Sequence, residues 1–118
     1  MHGLPDKIDL KFLEEKELTQ VCIDQHEVIL NFHEELSLTI MSRCVLEASN
    51  GEVTEVTDFQ KSAAVLTRLL GAKTVHETHQ TDGKLTLTFS TRDTLTVFDD
   101  QPNYESYVIS YGQDVIGV

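Results

Sequence analysis

Leu85-Thr86-Leu87-Thr88-Phe89 and Thr94-Leu95-Thr96-Val97-Phe98, separated by a tight turn at Ser90 to Asp93, carry the pattern that decides this fold. Apolar residues alternate with threonines through both runs. That period of two turns one face of a strand to a core and the other to water. The residues between them suffice only for a hairpin. Asp82-Gly83, a favoured hairpin dipeptide, leads into the first run. Upstream the pattern recurs: Val28, Leu30, Phe32, Leu38 and Ile40 match Leu85, Leu87, Phe89, Leu95 and Val97 at a constant offset of 57, from Val28 to Leu85.

Outward from these two hairpins the alternation continues. Val21 and Ile23 alternate with Gln20 and Cys22, and Leu36, Leu38, Ile40, Ser42 and Cys44 share one face. Short connections at Asp24-Gln25 and His33-Glu34-Glu35 suit hairpins, and Asn50-Gly51 marks a turn. Strands resume at Thr74, Tyr107, Ile109 and Tyr111 alternate with Val108 and Ser110, and Val115 to Val118 closes the chain.

One helix is expected between the two copies. Thr57 and Gln60 have the spacing of a capping box, and Phe59, Ala63, Leu66 and Leu70 fall on one helical stripe. Gly71 follows where a left-handed C-terminal residue is wanted. The expected fold class is α+β: two antiparallel β-meanders joined by one amphipathic helix packed on a sheet. A single domain spans residues 1–118, with residues 1–12 loosely attached; Leu10, Phe12 and Leu13 are the lead-in residues able to dock on the body.

Composition narrows the partners. Twenty acidic against nine basic side chains give a net charge of −11. Nucleic acid and anionic membranes are met by Lys/Arg patches, so both are excluded as expected partners. A basic protein, or a second copy of this chain, is the partner class left open. Neither a signal peptide nor an apolar spanning run is visible, and Cys22 and Cys44 show no framework spacing. The expected location is cytoplasmic, with reduced thiols.

Few residues point to chemistry. His76 and His79, three apart on a strand, face opposite ways and do not chelate together, so no metal and no cofactor are expected. Cys44 falls on an apolar face, and Cys22 has acidic neighbours that work against a thiolate. No Gly-x-Ser-x-Gly or glycine-rich phosphate loop is present, so no catalytic residue is assigned. Two features remain. Thr86, Thr88, Thr94 and Thr96 form a paired threonine face able to meet another chain. The loop with Asp99, Asp100, Tyr104, Glu105 and Tyr107 offers candidate binding residues, because loops and tyrosines are favoured at interfaces.

Three segments, Leu18-Thr19-Gln20-Val21-Cys22-Ile23, Leu66-Thr67-Arg68-Leu69-Leu70-Gly71 and Leu85 to Tyr107 with its Tyr104-Glu105-Ser106-Tyr107, resemble a bacterial family of small, functionally uncharacterised proteins. The resemblance covers the chain from about Phe12 onward and implies a bacterial source, with no activity or site residues to carry over. One departure is Glu15, where that family favours a glycine turn. The function expected from the residues is a non-enzymatic interaction module, immunity-like, whose acidic surface binds a basic partner or itself. The alternative is a small-ligand-binding protein or enzyme with its site near Asp100, Tyr104 and Glu105.

Overall fold

Alternating segments build ten strands in the computed structural model, which describes residues 3–5 and 7–118. These are β1 (Leu18–Ile23), β2 (Val28–Phe32), β3 (Leu36–Ile40), β4 (Cys44–Glu47) and β5 (Val53–Val56) in the first half. The second half holds β6 (Thr74–His79), β7 (Leu85–Phe89), β8 (Thr94–Val97), β9 (Tyr107–Tyr111) and β10 (Asp114–Gly117). They form two five-stranded antiparallel sheets, in the orders β1-β2-β3-β9-β10 and β5-β4-β8-β7-β6. The protein is therefore mostly β, with one short helical segment. A single apolar cluster draws Leu30, Leu38 and Ile109 from the first sheet and Leu46, Leu87 and Leu95 from the second.

The meanders are present, as β1-β2-β3 and β6-β7-β8, but neither stands alone. Each sheet completes its meander with a hairpin from the other half: β9-β10 joins β3, and β4-β5 joins β8. The run Leu36 to Cys44, which reads as one face, is split between the sheets. Residues 41–43 carry the chain across, and Ile40, Ser42 and Cys44 are all buried. Alternation persists through the crossing because both strands face the same core, so the pattern alone does not reveal the break.

The helical segment also departs from expectation. Among the described residues only α1 (Phe59–Ser62) is α-helical, and a 3-10 stretch, Ala63–Leu69, follows. Its N-cap is Asp58 rather than Thr57, with no side-chain cap bond, so the capping box does not form. At three residues per turn, Ala63, Leu66 and Leu69 align and are buried, while Leu70 turns out to solvent. Ser62, Val65 and Thr67 are poor helix formers, and the hydroxyls of Ser62 and Thr67 bond to Asp58 O and Ala64 O respectively. The lead-in expected to be loose contributes Leu4 and Leu10 to the core, together with Leu13 from a short 3-10 turn, Lys11–Leu13.

The repeat seen in sequence extends to the backbone, with the offset shortened to 56 between β1 and β6. Shifting every strand by five positions converts one sheet order into the other. Both β1 and β6 are irregular at the same place, between Leu18 and Gln20 and between Thr74 and His76. Their approaches are stitched reciprocally: Leu18 N donates to Ala72 O and Thr74 N to Lys16 O, while Glu15 N donates to Thr74 O and Gly71 N to Leu18 O. Two copies of one plan have exchanged hairpins to make two sheets.

Candidate functional site

The loop between β8 and β9 does not hold its candidate residues together. Asp99 is a tie: its carboxylate accepts Gly3 N at 2.6 Å and the Ser106 hydroxyl at 2.7 Å. It also packs against Gly83, at φ +97, where an added Cβ would collide with it. Asp100 accepts Arg43 Nε at 3.2 Å, and that guanidinium lies 3.8 Å from the Phe98 ring centre. An open cavity of about 430 Å³ runs between Asp99, Asp100, Asp82, Lys84 and Arg43. Tyr104, 49% exposed, and Glu105 do not line it. The Glu105 side chain instead fills the place a Cβ would take at Gly117 of β10. Tyr107 is wholly buried; its hydroxyl donates to Gly83 O at 2.7 Å, and burial pushes its pKa up. Asp99 and Tyr107 thus serve the fold, Asp100 borders the cavity, and Tyr104 and Glu105 lie elsewhere.

The sheet faces are more informative, because register places distant residues side by side. On the outer face of the first sheet, one row reads Gln20, Asn31, Ser37, Ser110 and Val115. The next reads Cys22, Ile29, Thr39, Val108 and Gly117. None of the ten residues in these rows is charged, in a chain of net charge −11, although the Glu105 carboxylate covers the end of the second row at Gly117. Acids stand in the turns at its ends: Asp24 and Glu27 between β1 and β2, Glu34 and Glu35 between β2 and β3, and Asp114 at the start of β10. The second sheet does present the expected threonine pairs, Thr86 opposite Thr96 and Thr88 opposite Thr94. There, however, His76, Glu47 and Glu55 share those rows.

Sequence reasoning also missed a buried carboxylate. Glu77 is fully buried on β6, its side chain bonded to His79 Nδ1 and its Oε1 lying 3.5 Å from Lys11 Nζ. Glu77 N donates to Glu14 Oε2 at 2.9 Å, which, against the cost of desolvation, holds the Glu14 carboxyl below its ordinary range. Val21 is the counterpart of Glu77 in the other half: Val21 faces Leu30 as Glu77 faces Leu87. A charge at a core-parity position of the repeat was the available signal. The group ties the lead-in to β6: Lys11 Nζ lies 3.5 Å from each of the two carboxylates, and the buried Glu77 Oε1 accepts no hydrogen bond among the described residues.

Among the described residues no group of three or more His, Cys, Asp and Glu side chains is placed to hold a metal ion, and no helix is long and apolar enough to cross a membrane. His79 meets Glu77 while His76 approaches Glu14, at 3.6 Å. Cys44 is buried, its thiol pushed up to about 12, and Cys22 lies half-buried on the outer face. A family model described as a family of unknown function (DUF6188) matches residues 10–115. No curated protein and no solved structure matches the chain.

Proposed function

The chain belongs to this family of unknown function, and from that premise we propose a non-enzymatic interaction module that binds a basic protein. The observation that carries the reading is the outer face of the first sheet, whose two rows hold no charged residue and which acids frame, Glu105 over Gly117 among them, in a chain of net charge −11. Protein interfaces have cores depleted of charge and polar rims, which matches this face and its border. The surrounding acids would steer a cationic partner and set its orientation. Two copies, each at −11, repel, which favours a basic partner over self-association. An immunity-like role, neutralising a basic toxin, belongs to this class.

In this reading the helical segment packs on a sheet to close the core, and the module works in the cytoplasm of a bacterium. The unpaired Cys22 and Cys44 fit a reducing compartment. A small-ligand site near Asp100, Tyr104 and Glu105 finds less support, since the cavity is lined by only the first of them. The test is a hydrogen-exchange footprint of a basic protein co-purified from the host. Protection of β2, β3 and β9, weakened by salt and lost in a Ser37→Arg/Ser110→Arg variant, supports the reading. A footprint that avoids these strands, or binding indifferent to salt, refutes it.

A further inference from the structure

The four strands that end the two sheets are not equally guarded. β1 and β6 are stitched to one another's approaches through Leu18, Ala72, Lys16 and Thr74, and an isolated bridge joins Glu17 to Lys73. β5 carries Glu55, which approaches Arg43 at 3.9 Å, and α1 lies beside it. β10 has neither device, although the Glu105 side chain lies over Gly117 at its end. It is the last strand of its sheet, so half its N–H and C=O groups face away from β9. It contains no proline or lysine, and Val115 at its middle is 66% exposed.

Beside β10 runs a groove of about 380 Å³ lined by Phe12, Ile109, Tyr111, Asp114, Val115 and Ile116. Phe12 and Tyr111 stack at 5.0 Å to form one apolar wall. Around the end of the strand, Glu34, Glu35 and Asp114 share a second recess with Tyr111. Unpaired backbone, a flanking apolar slot and an acidic end are the three parts that recognition by strand addition uses.

We infer that β10 is the docking edge for an extended basic segment, which adds to the first sheet as a sixth strand. The inference rests on the reading above and specifies how the partner is held. Backbone hydrogen bonds to β10 supply affinity. One apolar side chain of the incoming strand enters the slot between Tyr111 and Ile116. A Lys or Arg two positions along, on the same face of the incoming strand, meets Asp114 and Glu35.

The test uses the full chain and two short capped peptides in which valine and arginine stand two positions apart on one face with threonine between them, one unmodified and one N-methylated at alternate amides. Both carry the same charge, but the second cannot complete a ladder. The unmodified peptide is expected to slow amide exchange at residues 114–117, and the methylated one to bind at least about tenfold more weakly, as the loss of two or so hydrogen bonds requires. Equal affinity, protection confined to other segments, or no binding by either peptide overturns strand addition. If the protection falls instead on β2 and β3, the edge is wrong and the acidic interaction module still stands. A third peptide, with threonine in place of arginine, separates the two ideas in the other direction. Should it bind as well as the cationic one, strand addition survives and the basic-partner reading falls.

Discussion

Glu15 holds φ +62 where its counterpart before β6 is Gly71 at φ +84, and each donates its N–H to the start of the opposite edge strand. A side chain in that left-handed region costs about 1 kcal/mol or more, part of which glycine would return as backbone entropy. Glu15→Gly is therefore expected to stabilise the protein by about 0.5 kcal/mol, read as a higher urea midpoint at unchanged slope; a lower midpoint contradicts the account. Asp93 is the opposite kind of residue, buried and fully engaged. It accepts Ser49 N at 2.9 Å and Thr91 Oγ1 at 2.8 Å, and pairs with Arg68 at 3.3 Å. Desolvation pushes its pKa up, but the Ser49 and Thr91 hydrogen bonds and the Arg68 charge outweigh that and lower it. Its ionised form thus contributes stability above the ordinary carboxylate pKa, near about 4, and loses it as pH falls through the depressed folded value. Asp93→Asn should cost about 2 kcal/mol at neutral pH, with the gap to the parent closing as the solution is acidified below about pH 4. A gap constant across that titration would show that the charge is irrelevant.

Among the elements, the Ala63–Leu69 stretch gives the sharpest test of geometry. A continuous α-helix would bury Leu70 beside Leu66, whereas the 3-10 turn buries Leu69 and leaves Leu70 46% exposed. Leu69→Ala should cost about 3 kcal/mol and Leu70→Ala under about 1 kcal/mol; thermal melts with the reverse order would restore the helix that the sequence suggests. The apolar spacing fits both helices at Ala63 and Leu66, so periodicity did not separate them; the hydroxyl and β-branched residues held the clue. The hairpins were legible because their determinants are local: Thr86 and Thr96 pair across a turn only a few residues away. β4 and β5 were not, since Leu36 to Cys44 keeps one parity through the crossing. The outer face of the first sheet was equally hidden. It exists only once Ser37 lies opposite Ser110 and Thr39 opposite Val108, a pairing between distant segments that no local pattern encodes.

The exchange of hairpins makes the two halves of the molecule depend on each other. Residues 1–57 supply β1 to β5, and residues 58–118 supply the helical segment and β6 to β10. Alone, the first would have a three-stranded meander lacking its β9 neighbour and a hairpin lacking β8. Three strands with an uncovered apolar face are marginal in water, and a lone two-stranded hairpin is less stable still. Each half, expressed separately, is expected to be unfolded by circular dichroism and amide exchange. An equimolar mixture should recover the strand signal. Charge then decides how tightly the halves assemble. The first holds twelve acids against four bases, a net −8, and the second eight against five, a net −3. Like charges oppose their meeting, so the dissociation constant of the mixture should fall as sodium chloride screens them. The internal symmetry also permits the first half to pair with a copy of itself. Such a dimer would bring −8 against −8, a greater repulsion than −8 against −3, so the mixed complex should prevail at low salt. A half that folds alone as a monomer would refute the interdependence, and a mixture that weakens with salt would refute the electrostatic part of it.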